Sequence, residues 1–198
     1  NRSQGVKASG ETCLQYLLLT QDALTKMGGR AKCNPPLRTQ EDVDGLWERI
    51  VDGRIDIVTS DHSPYPLSRK ETANIFDAYA GIPGAETLGA LLYSAGVSEG
   101  RIGLNRFLEL VCSGPADLFG FAHKGRLAPG MDADFVIFDP DATWQVDDAR
   151  LHYKVGVSPY QGMTATGQVE STWLRGSCVF ENDLVTGAAG GGQFVRPE

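Results

Sequence analysis

A helix followed at once by a short apolar strand is the feature that most constrains the fold of this chain. Thr39 is a candidate N-cap with Asp42 three positions further on, and apolar side chains at helical spacing predict an amphipathic helix over residues 40–52. Gly53 ends this helix, and the apolar run that follows predicts a buried strand over residues 55–61. A helix leading directly into a buried strand is typical of parallel sheets, so we expect an α/β fold.

Asp61, where this strand ends, is the first candidate for chemistry. Reactive groups of α/β barrels collect at the carboxyl ends of the strands, so its carboxylate is a candidate metal ligand or proton carrier. A turn-forming or helix-capping aspartate is the alternative, since Pro64 follows closely. His62 comes next, and because adjacent strand residues face opposite ways we favour a supporting or structural role for its imidazole.

Residues 1–123 carry two predicted strands and trailing helices, the pattern of the closing part of a barrel. The bounds are strands at 6–12 and 55–61, and helices at 21–27, 40–52, 85–95, 104–112 and 115–119. The apolar run 14–19 fits a strand or a helix, and residues 64–79 predict a polar loop. A (β/α)8 TIM barrel needs about 250 residues, and two parallel strands cannot bury both faces alone. We therefore expect the C-terminal part of a TIM barrel, completed by a longer polypeptide or a second chain.

The pattern changes near Lys124, where helices give way to short strands. Candidate strands lie at 135–139, 143–146, 169–175 and 178–181. We place a domain boundary there, with a second segment over residues 124–186. Residues 187–198 are rich in Gly and Ala and predict a flexible tail that crosses a surface or a partner subunit.

The composition of the chain indicates its cellular compartment and argues against some classes of partner. The net charge of −7 argues against nucleic acid or an anionic membrane as partner, and no apolar run approaches the length of a membrane span. Four widely spaced cysteines and no leader-like start favour a reduced, cytoplasmic protein. The three histidines include no His-x-His pair, so this chain alone cannot supply a histidine-rich metal cage. We expect His123 and His152 to be surface or packing residues.

Two motifs, KCNPPLR at residues 32–38 and TSDHSP at 59–64, make the chain recognisable. With GIPGAET at 81–87 and GRLAPGMDAD at 125–134, they resemble the cyclic amidohydrolases, the group of dihydroorotase, allantoinase and the hydantoinase/dihydropyrimidinase enzymes. The resemblance covers essentially the whole chain, but only the C-terminal half or less of the family's chain. It implies a (β/α)8 barrel with a small β-sandwich built from both chain ends, to which residues 124–186 contribute.

The resemblance also implies a centre of two divalent metals, usually zinc, held by histidines, a carboxylated lysine and one aspartate. Asp61 matches that aspartate, and the other ligands would precede Asn1. Asn34 matches a position that contacts the substrate ring in relatives, with a structural residue ahead of two prolines as the alternative. Ala80 and Gly81 match a loop whose backbone touches substrate, with a simple turn as the alternative.

Two positions bear on the substrate. Tyr65, a further candidate substrate contact, stands where dihydroorotases usually have a histidine that helps bind the substrate carboxylate. Gly84 stands where many hydantoinases place an asparagine, and the SDHSP spelling leans towards allantoinase or hydantoinase types. The implied protein is a metal-dependent hydrolase that opens a cyclic amide, ureide or imide ring, typically as a homo-oligomer. A non-catalytic relative that keeps the fold for assembly and has lost the metal is the alternative.

Overall fold

A parallel pair of short strands organises the first part of the fold. The computed structural model describes residues 4–197, so the ends of the predicted barrel part and tail, residues 1–3 and 198, lie outside it. Strand β1 (Glu11–Cys13) pairs in parallel with β2 (Ile57–Thr59). The parallel arrangement is as predicted, but the predicted bounds 6–12 and 55–61 are wrong.

A side chain explains why the ladder between these strands is short. The Asp56 carboxylate accepts the Gly10 N–H at 2.6 Å, a donor that a longer ladder would use. The Gly10 carbonyl instead accepts the backbone N–H groups of Asp56 and Ile57. Regular pairing therefore begins only at Glu11.

Helices follow both strands. Their bounds are α1 Leu14–Leu18, α2 Gln21–Met27, α3 Gln40–Val51, α4 Leu67–Lys70, α5 Leu88–Tyr93, α6 Leu104–Leu108 and α7 Gly114–Phe119. Short 3-10 turns occur at Gly28–Ala31 and Ile75–Asp77, and π-helical segments at Ser94–Ser98 and Glu109–Ser113. Thus α4 and a 3-10 turn lie within the predicted loop 64–79, and the helices predicted at 104–112 and 115–119 form one continuous helical run.

The helix α3 begins as its sequence predicts. The Thr39 side chain accepts the Asp42 N–H while the Asp42 side chain accepts the Thr39 N–H, a reciprocal capping box. Val43, Trp47 and Ile50 form its buried face, and the Trp47 indole donates to the Leu17 carbonyl of α1 at 3.1 Å. These contacts fix α3 against the helix that follows β1, as expected of neighbouring βα units.

An antiparallel sheet forms the second part. Its strands, in spatial order, are β3 Phe135–Gln145, β4 Thr164–Leu174, β5 Ser177–Glu181 and β6 Leu184–Val185. Strand β3 joins two strands that the sequence predicts separately, because the pairing with β4 resumes after an irregularity between Asp139 and Thr143. Strand β6 was missed, and β4 begins five residues before its predicted start at residue 169.

One buried cluster spans both parts of the described chain. It contains Leu14, Val58 and Leu92 from the strand–helix part together with Tyr160 and Ala165 from the sheet part. The domain division at residue 124 and the flexibility of the tail stay predictions. Within residues 4–197 no helix is both long and apolar enough to span a membrane.

Candidate functional site

Asp61 lies two residues beyond β2, at the carboxyl end of the strand where the sequence places it. Its side chain is exposed, and its backbone takes a left-handed conformation with φ of +43°. This region costs a non-glycine residue about 1 kcal/mol, although Asp tolerates it better than most residues. Among residues 4–197, no group donates a hydrogen bond to the Asp61 carboxylate, so both of its oxygens are free for a ligand.

Two thiols and a phenol lie near the Asp61 carboxylate. Because β1 and β2 run in parallel, their carboxyl ends meet, and the Cys13 sulfur lies 3.4 Å from the Thr59 hydroxyl. Burial raises the pKa of Cys13, of Cys33 and of the Tyr16 phenol, and the negative charge of Asp61 adds to each rise. All three groups are therefore neutral at pH 7 and act as packing groups and hydrogen-bond donors rather than nucleophiles.

His62 supports the backbone beside Asp61. Its Nδ1 atom accepts the N–H groups of Gly84 and Ala85, each at 3.1 Å, which assigns the ring proton to Nε2. The ring also contacts Tyr153 edge-on, with centroids 5.5 Å apart. The imidazole thus holds the turn ahead of α5, the supporting role that the sequence favours. The helix α5 begins at Leu88 rather than at residue 85 as predicted.

Asn34 is exposed. Two side chains hold the backbone beside it, because both donate hydrogen bonds to the same carbonyl group. The Pro35 carbonyl accepts the Tyr16 hydroxyl at 2.9 Å and the Cys33 thiol at 3.3 Å. Because the charge of Asp61 also raises the pKa of Cys33, this segment lies near the end of β2. Cys33, the residue before Asn34, is therefore within electrostatic range of Asp61.

Gly81 and Tyr65 lie against each other. A Cβ atom at Gly81 would lie 2.7 Å from the Tyr65 ring and 2.6 Å from the Ser63 carbonyl oxygen, so no larger residue fits. The Tyr65 ring meets the Tyr79 ring edge-on at 5.1 Å. Gly81 also donates its N–H to the Lys32 carbonyl at 2.9 Å, which joins this loop to the segment that carries Asn34.

Lys70 is a site residue that no sequence pattern indicates. Its side chain is only 2% exposed, and its ammonium donates to the carbonyls of Lys32, Tyr79 and Gly81 at 2.9, 2.8 and 2.7 Å. Burial lowers the pKa of Lys70 to about 8, and the nearby Lys32 charge adds to the fall. A lysine in a polar loop carries no sequence signal for this role, because its partners are backbone groups brought together only by the fold.

The metal ligands available in this chain are few. Within residues 4–197, no group of three or more His, Cys, Asp or Glu side chains could hold a metal ion. Asp132 and Asp134 pair with Lys124 at 2.7 and 2.5 Å, as turn acids. Asp61 offers an exposed carboxylate at the carboxyl end of the parallel strand β2, and a metal there needs further ligands from outside the described residues.

Comparison with known proteins identifies the family to which this chain belongs. A sequence model of the amidohydrolase family matches residues 11–179, so this chain belongs to the amidohydrolase family. The chain is 41% identical over its whole length to an allantoinase of Rubrobacter xylanophilus and 37% identical over 98% of its length to one of Salmonella newport. It spans 43% of the length of each of these relatives.

Solved structures agree with this class. A dihydropyrimidinase from Brevibacillus agri superposes with a TM-score of 0.95 at 36% identity, over 99% of this chain and 44% of that one. The L-hydantoinase of Arthrobacter aurescens gives a TM-score of 0.92 at 36% identity, over 98% and 44%. These are TIM-barrel amidohydrolases, so the described fold is consistent with part of a barrel, as the sequence predicts.

Proposed function

We propose that the complete polypeptide is a metal-dependent hydrolase that opens a cyclic amide or ureide ring, with Asp61 as metal ligand and proton carrier. The observation that carries this proposal is the placement of Asp61: an exposed carboxylate with no internal hydrogen bond, held in a left-handed conformation at the end of β2. A turn-forming aspartate uses its side-chain oxygens to bond nearby N–H groups, whereas the Asp61 oxygens accept no such bond among residues 4–197.

The residues present fit one part of a divalent metal site. Carboxylate oxygens are ordinary ligands of zinc, and the Asp61 oxygens are free to bind one. When bound, a metal pair lowers the pKa of water towards neutrality and polarises the amide carbonyl. We propose two zinc ions per complete chain, with the remaining ligands supplied from outside residues 4–197.

The Asp61 carboxylate then performs the proton transfer. It accepts the proton of the attacking water and delivers it to the ring nitrogen as the carbon–nitrogen bond breaks, so one residue serves as base and then as acid. The neutral thiols of Cys13 and Cys33 nearby offer no competing nucleophile, because burial raises their pKa.

Ring binding is assigned to Asn34, Tyr65, Ala80 and Gly81. The Gly81 N–H is already bonded to Lys32, and its carbonyl accepts from Lys70. Within the described residues the N–H and C=O of Ala80 make no hydrogen bond, so these two groups are free for the ring. An adjacent donor and acceptor complement the C=O and N–H of a cyclic amide or ureide.

The substrate class follows from the relatives and from two residues. The allantoinases are 37–41% identical to this chain, which favours a cyclic ureide such as allantoin. Tyr65 in place of a histidine counts against dihydroorotate, and Gly84 in place of an asparagine counts against a standard dihydropyrimidinase. Ring opening of allantoin, hydantoin, dihydrouracil and dihydroorotate by the complete polypeptide, with metal content measured in parallel, tests the proposal. Absence of both metal and turnover would leave the non-catalytic scaffold.

Four further proposals concern the whole protein. The sheet β3–β6 contributes one layer of a β-sandwich, supported by exposed apolar residues Val136, Ile137, Leu184 and Val185. Residues 1–123 and 124–186 belong to separate domains, and the glycine-rich residues 187–198 serve a homo-oligomer. All four cysteines are free thiols, which supports a reducing, cytoplasmic location.

A further inference from the structure

The Lys70 ammonium is a fully bonded joint between two segments of the candidate site. An ammonium has three N–H donors, and all three are used on the carbonyls of Lys32, Tyr79 and Gly81. A charge at 2% exposure is tolerated only when it is bonded in this way. Lys32 lies two residues before Asn34, while Tyr79 and Gly81 flank Ala80, so the joint connects the two segments assigned to the ring.

The hydrogen bonds of Tyr79 and Gly81 also orient the peptide groups of Ala80, because each peptide unit is planar. In a trans peptide the N–H and C=O groups point in opposite directions, and both peptides of Ala80 are trans. Because the Tyr79 carbonyl points to the Lys70 ammonium, the Ala80 N–H in the same peptide points away from it. Because the Gly81 N–H points to the Lys32 carbonyl, the Ala80 C=O points away from that carbonyl.

Lys70 controls both of these directions. It binds the Tyr79 carbonyl directly, and it also binds the Lys32 carbonyl that receives the Gly81 N–H. Glycine at position 29 allows this close packing, because a Cβ there would lie 1.7 Å from the Lys70 carbonyl oxygen. The free donor and acceptor of Ala80 are thus set by one buried side chain.

We propose that Lys70 is a positioning residue for the substrate: it aims the free N–H and C=O of Ala80 at the ring and sets ring affinity without touching the ring. This inference rests on the proposed function of the site. Since these backbone bonds hold the ring equally in the ground state and the transition state, their loss raises KM and leaves kcat nearly unchanged.

Lys70→Met in the complete, metal-loaded polypeptide tests the inference. It keeps an unbranched side chain that is only one atom shorter and removes all three donors. We expect KM for the ring that the wild type opens, and the Kd of a non-hydrolysed analogue of that ring, to rise about tenfold. We expect kcat to change by less than about threefold and the metal content to stay the same.

Lys124→Met is the matched control. The Lys124 ammonium binds the Asp132 and Asp134 carboxylates at 2.7 and 2.5 Å, outside the segments assigned to the ring. We expect its KM to stay within about twofold of the wild type. If Lys70→Met does not fold, Lys70→Gln, which keeps two amide donors, replaces it with a smaller expected rise in KM.

Each outcome decides the inference. A rise in KM confined to the Lys70 variants supports it. An equal rise in Lys124→Met, an unchanged KM, or a fall in kcat or metal content in the Lys70 variants overturns it while the proposed function stands. A wild type that neither binds nor opens any ring overturns the proposed function, and the inference falls with it.

Discussion

The loop region of residues 60–85 and the antiparallel sheet β3–β6 are held together in different ways. In the sheet, backbone groups bond to neighbouring strands, and two-residue turns at Arg175–Gly176 and Asn182–Asp183 connect the strands. In the loop region, strand-like pairing is limited to the bridge of His62 with Ile82, and isolated backbone bonds, such as Tyr79 N–H to the Arg69 carbonyl, are supplemented by side chains. Lys70 binds the Tyr79 and Gly81 carbonyls there, and His62 binds two N–H groups.

This difference separates stability from function. The sheet's turns take the positive φ angles that suit right-twisted hairpins, so its geometry follows from local chemistry. The loop region fixes an irregular backbone with a buried charge, an arrangement that stability alone does not require because apolar packing serves as well. We therefore expect changes in the loop region to alter activity, and changes in the sheet to alter stability only.

The largest expected effect is at Asp61. Asp61→Ala in the complete polypeptide should lower turnover by at least about a hundredfold, because it removes the proposed proton carrier and metal ligand. Its melting temperature should change little, since the side chain makes no internal hydrogen bond among the described residues. Asp139→Ala, a change in the sheet, is the control and should keep full turnover. Near-normal turnover of Asp61→Ala would refute its role.

Two closely packed glycines, one in the loop region and one in the sheet, allow the same substitution to be compared between the two regions. Gly81→Ala forces a Cβ to within 2.7 Å of the Tyr65 ring, and Gly167→Ala forces one to within 2.6 Å of the Phe138 ring in β3. Both should lower the free energy of unfolding by about 1–3 kcal/mol. Only Gly81→Ala should also lower kcat/KM, measured where both variants are folded. Equal kcat/KM in the two variants would remove the distinction between the regions.

A turn residue tests the sheet alone. Asn182 has φ of +54°, a conformation that Asn tolerates better than Ala. Asn182→Ala should lower the free energy of unfolding by about 1 kcal/mol in urea titrations, and Asn182→Gly should leave it nearly unchanged. Turnover should be the same in both variants. A loss of activity in Asn182→Ala would contradict the assignment of the sheet to stability.

The smallest expected effect is at His152, which joins the two regions. Its Nδ1 lies 2.7 Å from the Glu86 carboxylate and its Nε2 lies 3.0 Å from the Asp183 carbonyl. These bonds raise the pKa of His152, the Glu86 bond most. The sequence favours a surface or packing role and gives no sign of this bridge.

The raised pKa of His152 determines how the stability of the folded state depends on pH. A raised folded-state pKa means that the stabilisation is fully present below about pH 6.5, the ordinary histidine value, and is lost as the pH rises through the folded-state pKa. Because the pair is partly exposed, the effect should be at most about 1 kcal/mol. His152→Gln should flatten the melting temperature between pH 6 and 8. Identical pH profiles of wild type and His152→Gln would contradict the bridge.

Local patterns predicted the elements that depend on local chemistry. The capping residues Thr39 and Asp42 located α3, and the apolar run before Asp61 located β2. Strand lengths were wrong where tertiary contacts intervene: the Asp56 carboxylate shortens the β1–β2 pairing, and β3 continues across an irregularity at Asp139. Neither effect has a signature in the sequence of the strand itself.

The sequence predicts the candidate reactive residue of the site but not the residues that hold the backbone around it. Asp61 was selected because a carboxylate at a strand end is a recognisable pattern. Lys70 was missed because its partners are backbone carbonyls, which every residue has. For the same reason the sequence could not separate the free peptide groups of Ala80 from the occupied ones of Gly81.

Metal content and ring opening of the complete polypeptide test the central claim most directly. Elemental analysis is paired with turnover assays on allantoin, hydantoin, dihydrouracil and dihydroorotate. We predict about two divalent metals per chain and hydrolysis of one ring, with allantoin the first candidate. A folded protein with no metal and no turnover on any ring would contradict the account and leave Asp61 as a turn acid in a scaffold.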